Sequence, residues 1–476
     1  MAAALPAEPA PAMSHNPITE LTCQLIHYFA RFQDRAEEER EHVYTRYGEL
    51  LHYHNESIVQ FGDLSIAASR INWACFCQRR GLQLRHLDQQ MIPDEEAVQL
   101  ILEKSKEWIF PLASVTKLRK ERYALRFQRA PIVAHVIGNI MQLGELYGKP
   151  QKLEFAPDTT VSLVLHEQFL DVEAPPGNSK EMHKFRARQL FMIVSRLLKY
   201  TNMHPVEPED QTDETLVISI DSNNHARRPT QPDIVDGDPG NPVRQEVRLV
   251  CGPVVESHKK AATTLDSLSY MNIRSNDMLL IAMHRHGVRD CPQGEGFQDL
   301  MRRLGFAAVI VDLFEVRHSS CASLVSNGLG SSKGANYILY NSARLETLLR
   351  TFNGKVETGV YGPLPPLESV DLSTLEEDLD WHLIYGYLLH FPEMIESVLL
   401  QFREGHVGVH ILVRYIVGLA STFSRYYRNK QILVQHRANL MPVLHARVYL
   451  VKAVRQVLNL SLALLGIEPV NYMAKS

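Results

Sequence analysis

Three arginines, Arg414, Arg425 and Arg428, lie 11 and 14 residues apart in a stretch of helical character. At about 100° per residue those offsets put all three within roughly 40° of one line, a stripe joined near its end by Tyr426. A guanidinium fork donates two hydrogen bonds to one phosphate, and a tyrosine ring stacks on an unpaired base. Around the stripe, residues 401–460 hold nine Lys/Arg (Arg403, Arg414, Arg425, Arg428, Lys430, Arg437, Arg447, Lys452, Arg455) against one acid, Glu404, while the whole chain carries a net charge of −4. A local cationic face on a near-neutral chain points to a polyanion bound at one place. The competing reading starts from residues 361–400, which carry eight acids (Glu368, Asp371, Glu376, Glu377, Asp378, Asp380, Glu393, Glu396) and no Lys or Arg. Those acids could pair with the stripe and close the domain internally, or the arginines could form a solvated face. Spacing alone leaves these readings open.

The elements that must hold these residues are helices. Val413, Ile416, Val417, Ala420, Phe423 and Tyr427 recur at three- and four-residue intervals, so one face of the first helix is expected to be buried. A second helix runs from about Val443 to Leu465, with Leu444, Val448, Val451, Leu458, Leu462 and Leu465 as its seam. Arg455 falls in register with that seam. A partly buried arginine there needs a partner, as an internal ion pair or as a group held towards a ligand.

Upstream the pattern is mixed. The chain is helix-prone from Ile18 to about Tyr53, and helices are expected from Asp94 to about Trp108, from Ile132 to Tyr147 (ending at Gly148) and from Lys180 to Lys199. Strand-like runs are residues 161–172, Leu216–Ile220, Val247–Val255, Met278–Met283 and Ala307–Val316, with a helical stretch at Phe297–Leu304. Strands alternating with helices indicate a mostly parallel α/β sheet. After Gly334 helices dominate. The expected division is a disordered tail (1–17), an N-terminal helical and α/β region (18–205), a mostly loop or linker stretch (206–245), an α/β region (246–330) and a helical domain (331–476).

With 476 residues, 45% of them hydrophobic, the chain is long enough for two or three globular domains. No stretch approaches about 18 consecutive apolar residues, so no membrane partner is expected. The Ala/Pro-rich start has no Lys or Arg before Arg31, unlike a secretory or mitochondrial leader. Six sparse, irregularly spaced cysteines fit reduced thiols in the cytosol.

Several blocks carry a family resemblance: Tyr337 to Leu345, Leu389-His390-Phe391-Pro392-Glu393, Phe423 to Tyr427, and Ala453 to Leu458 running through Leu465-Gly466-Ile467. In order and spacing they resemble the DALR anticodon-binding domain of arginyl-tRNA synthetases over about 331–473, and the closing Tyr472-Met473 is similar to that family's C-terminal end. The resemblance implies a degenerate class I synthetase-like, Rossmann-type α/β region followed by an all-α DALR helical bundle. The resemblance and the basic face together make Tyr337, Tyr340, Asn341, Arg344, Arg414, Arg425, Tyr426, Arg428, Lys430, Arg447, Lys452, Arg455, Tyr472 and Met473 the expected tRNA contacts. The His-x-Gly-His turn by which class I synthetases hold ATP is missing. His135-Val136-Ile137-Gly138-Asn139 has the wrong spacing, and His406-Val407-Gly408-Val409-His410 misses by one residue in the helical part. Of the Lys-rich second signature, Gly330-Ser331-Ser332-Lys333-Gly334 is the nearest remnant. Arg248 to Val254 and Gly334 to Leu348 resemble non-catalytic relatives that keep the DALR end. Such a protein is expected to recognise arginine tRNAs and to present the anticodon loop to a partner 3-methylcytidine methyltransferase, without a catalytic residue of its own. A divergent arginyl-tRNA synthetase and a protein-binding scaffold are the alternatives.

Other motifs carry less. Gly330–Gly334 fits the Gly-x-Ser-x-Gly elbow of hydrolases, but helices follow where that fold needs strands. It is no Walker loop, since Gly334 follows Lys333. His52/His54 and Cys75/Cys77 lack zinc-ligand spacing. His284-Arg285-His286-Gly287, at the end of an expected strand, reads as surface or core histidines. No Gly-x-Gly-x-x-Gly follows a strand, so no cofactor is expected. The basic helix with Lys184, Arg186, Arg188, Arg196 and Lys199 reads as a solvated face or an extension of the RNA footprint.

Overall fold

The computed structural model describes residues 25, 30–32, 50–55, 57–67, 70–79, 82–84, 95–119, 122–149, 159–169, 180–212, 214–222, 246–256, 263–286, 295–324 and 333–469. These gather into two compact units. The first joins Met1–Val136 to Leu375–His390; the second joins Ile137–Thr374 to Phe391–Ser476. This division does not follow the boundary expected at residue 331, because a piece of the helical region belongs with the N-terminal sheet. The tail expected at 1–17 lies outside the described residues.

In the first unit β1 (Ala30–Phe32) pairs antiparallel with β4 (Leu82–Leu84). A second antiparallel sheet has the order β2-β3-β6-β5, from β2 (Leu51–Tyr53), β3 (Leu64–Ala67), β5 (Leu112–Leu118) and β6 (Arg122–Phe127). Where helix was expected over 18–53, Leu25 is helical but Ala30–Phe32 and Leu51–Tyr53 are strand, and the Arg/Glu-rich stretch 35–46 lies outside the described residues. Helices α1 (Ile58–Phe61), α2 (Arg70–Arg79) and α3 (Glu95–Ser105) accompany the sheets. The sheet buries Leu64, Ile66, Ala124, Leu125 and Phe127. Asp63 is buried among them. Its Oδ2 accepts the Phe127 N–H at 2.7 Å and its Oδ1 accepts the Trp381 Nε1–H at 2.6 Å, while its carbonyl accepts the Tyr385 hydroxyl at 2.7 Å. Burial pushes this carboxyl up to about 6, against the lowering pull of those two N–H donors and of Arg129 and Arg126. Arg129 further binds Asp378 at 2.7 Å and lies over the Trp381 ring.

Helix α4 (Arg129–Leu143) follows, and a single 3₁₀ turn carries it to Leu146. Gly148, the expected stop, has φ +86, and a Cβ there would stand 2.3 Å from the Phe391 ring, so only glycine fits. In the second unit a parallel sheet has the order β10-β9-β7-β8, built from β7 (Thr160–Leu165), β8 (His204–Pro205), β9 (Leu216–Ser222) and β10 (Glu246–Cys251). The strand expected inside the linker is therefore β9, paired on both sides, with Leu163 opposite Ile218 and Ile218 opposite Val247. Helix α5 (Lys180–Leu198) crosses between β7 and β8. The expected strand Val247–Val255 breaks at Gly252-Pro253. Its continuation β11 (Val254–Glu256) pairs instead with β12 (Ala322–Leu324).

Two expected strands are helix. Met278–Met283 lies in α6 (Ser267–His286), whose end carries His284-Arg285-His286, and Ala307–Phe314 ends α7 (Glu295–Phe314). Every residue from Ala307 to Phe314 is buried, and a helix buried all round has no period to betray it. Gly305 lets α6 and α7 close, since a Cβ there would meet Met271 O at 2.8 Å. Between them Arg274, fully buried, meets Asp312 Oδ2 at 2.8 Å and Asp277 Oδ2 at 3.0 Å, and the Tyr270 hydroxyl donates to Asp312 at 2.8 Å.

Helices follow: α8 (Lys333–Glu357), α9 (Asp378–Leu383), a π-helical segment Ile384–Leu389, α10 (Phe391–Leu399), α11 (Val409–Asn429) and α12 (Met441–Leu465). The span Ala438–Leu465 is long and apolar enough to cross a membrane by composition, but 72% of its apolar window is buried, as in a core helix.

Candidate nucleic-acid interface

Helix α11 is strongly amphipathic. It buries Leu412, Val413, Ile416, Leu419, Ala420, Phe423 and Tyr426, and exposes Arg414, Ser421, Arg425 and Arg428 along one line. The arginine stripe is as expected; its aromatic is not. Tyr426 is fully buried and stands about 120° from Arg414 on the helical wheel, so it cannot meet a base. The exposed ring is Tyr427, assigned to the buried face by its spacing from Phe423.

Tyr427 leans on α8. The Arg344 guanidinium lies 4.1 Å from the Tyr340 ring centroid and 4.6 Å from that of Tyr427, a tyrosine–arginine–tyrosine stack. Its Nη2 donates to the Tyr340 hydroxyl at 3.0 Å and its Nη1 to Ser424 Oγ at 3.3 Å. The Ser424 carbonyl in turn accepts Arg428 Nε at 3.3 Å. Ser424 therefore ties both arginines to one point. Among the described residues no ion pair joins Arg344, Arg414 or Arg428 to an acid. Three of the acids of 361–400 find other work: Asp378 binds Arg129, and Asp380 with Glu377 forms the capping box of α9.

The remaining candidates separate. Asn341 is fully buried and donates to Tyr337 O at 2.7 Å, an internal role that removes it from any interface. Arg455 forms an ion pair with Glu346, joining α12 to α8, so its charge is answered internally. Lys452 covers the Tyr449 ring, and Arg447 donates to Gln431 O at 3.0 Å. These two lie about 140° apart around α12 and cannot share one contact line. Tyr337 is half-buried on α8, and Lys430 caps α11, its N–H donating to Tyr426 O. Tyr472 and Met473 lie outside the described residues. Ser424 and Tyr427 are the functional candidates that spacing missed.

The carboxyl edge of the parallel sheet is where an open α/β fold places a ligand. Here the end of β10 is filled from within. Arg186, fully buried, donates to the carbonyls of Gly252 (2.9 Å), Leu313 (3.1 Å), Arg317 (3.1 Å) and Ser320 (2.6 Å). His183 Nε2 lies 2.9 Å from Cys251 O. The basic helix α5 is thus no uniformly solvated face: Arg188 donates to Phe169 O, and Arg196 packs against Gly466. His318 Nδ1 lies 2.6 Å from Val250 O while its Nε2 accepts the Val407 N–H at 3.2 Å, an arrangement that needs the neutral ring. Burial, and the nearby His406, Arg186 and His410, bring its pKa down to about 4. A histidine depressed in the fold stabilises fully above its unfolded pKa of about 6.5 and loses that contribution as pH falls towards 4. Lowering pH from 7.5 to 5 is expected to cost about 2 kcal/mol through this group alone. Urea unfolding should show that slope in the parent chain and a flatter one in His318→Gln.

Residues 338–473 match the family model described as DALR anticodon binding domain. DALR anticodon-binding domain-containing protein 3 of Mus musculus is 28% identical over 276 residues, 56% of this chain and 50% of that protein. The Danio rerio protein of that name is 28% identical over 233 residues, 47% of this chain and 41% of its own. This chain spans about half the length of these curated relatives. Arginine--tRNA ligase of Leuconostoc citreum is 33% identical over 132 residues, 28% of this chain and 19% of that enzyme. Among solved structures, Thermus thermophilus arginyl-tRNA synthetase superposes with a TM-score of 0.55 at 10% identity, covering 89% of this chain and 96% of that one. The Plasmodium falciparum enzyme gives 0.54 at 11% identity, covering 96% and 99%. The chain therefore has the fold of the arginyl-tRNA synthetases, and its helical C-terminal part is similar to the DALR anticodon binding domain.

Proposed function

We propose that this chain binds tRNA through the face shared by α8 and α11, that arginine tRNAs are its ligands, and that it acts as a non-catalytic adaptor for a partner 3-methylcytidine methyltransferase. The observation that carries the binding is the Tyr340–Arg344–Tyr427 stack beside Arg428, lying inside the region that matches an anticodon-binding domain. Two arginines fixed without an acid suit phosphate, and the outer face of Tyr427 suits an unpaired base. The cytosol is its proposed compartment; Cys75, Cys251 and Cys321 are free thiols.

The adaptor reading is supported by the side chains that fill the carboxyl end of β10 and by a missing His-x-Gly-His. The methyltransferase partner follows from the resemblance to non-catalytic relatives alone. A second reading, an arginine–tRNA ligase, is favoured by the synthetase fold along almost the whole chain. Purifying the tagged chain from cells separates them. The adaptor reading expects arginine tRNAs in the sequenced RNA, a methyltransferase among the captured proteins, and no ATP-dependent charging of tRNA with arginine. Charging would establish the ligase. Recovery of no tRNA would sink both.

A further inference from the structure

The connection between α11 and α12, residues 430–440, carries Lys430, His436 and Arg437 on a backbone that is anchored from below. Ile432 and Val434 are buried, Val434 in a cluster with Phe352, Tyr361, Leu444 and Val448. The Tyr361 hydroxyl donates to Val434 O, and Arg447 Nη1 donates to Gln431 O at 3.0 Å. Lys355 Nζ lies 5.0 Å from the Tyr361 ring centroid and 3.4 Å from its hydroxyl. Three elements thus bring cations to one loop: Lys355 from α8, Lys430 and Arg437 from the loop, Arg447 from α12. Lys430 and Arg447 stand close enough that the guanidinium, after burial, lowers the ammonium's pKa. From residue 405 to residue 467 the chain has no Asp or Glu. His436 and Arg437 are exposed.

A cluster of cations from several elements favours a polyanionic ligand. A buried anchor beneath an exposed basic loop adds preorganisation. We propose that this corner is a second nucleic-acid contact, separate from the tyrosine–arginine stack, and that it takes the sugar-phosphate backbone of the bound RNA. It rests on the tRNA-binding reading. Cations that meet the sugar-phosphate backbone contribute affinity and register, without sequence preference.

The test uses the full chain, an arginine tRNA transcript, and binding isotherms across a salt series. For Lys430→Gln combined with Arg437→Gln, affinity is expected to fall about tenfold and the slope of log affinity against log salt to shrink by between one and two, near 0.7–0.9 for each lost phosphate contact. A non-cognate tRNA should lose the same factor. Tyr361→Phe removes the hydroxyl donor to Val434 O and leaves every charge in place; it is expected to weaken binding severalfold, with the salt slope retained. Unchanged affinity and slope in the double variant, while the parent chain binds, would overturn this contact and leave the tRNA reading standing. A parent chain that binds no tRNA removes the reading itself.

Discussion

Replacing Asp312 by alanine is expected to destabilise the second unit by about 3 kcal/mol, the largest effect of any single substitution considered. Removing one partner of a buried ion pair costs about 3–5 kcal/mol, because the remaining charge keeps its desolvation penalty and loses its compensation. Arg274 is fully buried against Asp312 on α7, and the Tyr270 hydroxyl loses its acceptor with the same substitution. Asp277 stays 3.0 Å from Arg274, which is why the lower end of that range applies. Arg274→Met on the same background should recover most of the loss, since an apolar side chain of similar length needs no partner. Urea unfolding of the two single variants and the double gives the coupling directly. Additive losses would mean that the pair does not act as a unit.

Reversing Arg425 and Arg428 to glutamate together is expected to cut affinity for an arginine tRNA about 100-fold at moderate salt and to shrink the salt slope by about two. The charges replaced sit on the exposed line of α11, and the stacked Tyr340, Arg344 and Tyr427 remain beside two acids instead of two cations. Stability should change little by comparison. Charge reversal at a helix C-terminus costs about 0.3–1 kcal/mol per residue through the helix dipole, so folded protein remains available for the measurement. Filter binding or fluorescence anisotropy with a parallel melting curve would read both quantities. Equal affinity for parent and variant would remove the stripe from the interface.

How far the residue pattern alone led depended on periodicity. Helix α11 alternates cleanly between apolar and arginine-bearing faces, so its buried residues and its stripe were readable. Strand β9 was readable because five apolar or small residues interrupt a polar stretch. The pattern failed where every face is covered: Ala307–Phe314 reads as a strand because burial on all sides erases the 3.6-residue signal. It failed again at Tyr426 and Tyr427, neighbours that only the packing of α8 tells apart. The internal roles of Asn341 and Arg455 are likewise tertiary facts. Arg455 in an apolar seam announced a need for a partner, and Glu346, 109 residues earlier, could be identified only by the fold.

Residues Leu375–His390 fall inside the stretch that matches an anticodon-binding domain, yet they pack with the N-terminal sheet, where Trp381 and Tyr385 answer Asp63. The two halves of this protein are consequently not free to be inherited as separate modules. Recombination that passed on the helical half by itself would strip two large aromatic rings of their cover. It would also leave the other half with a carboxylate enclosed in apolar surroundings and short of its indole donor. The segment Leu375–His390 and the N-terminal sheet thus complete one core, and each is a folding requirement of the other.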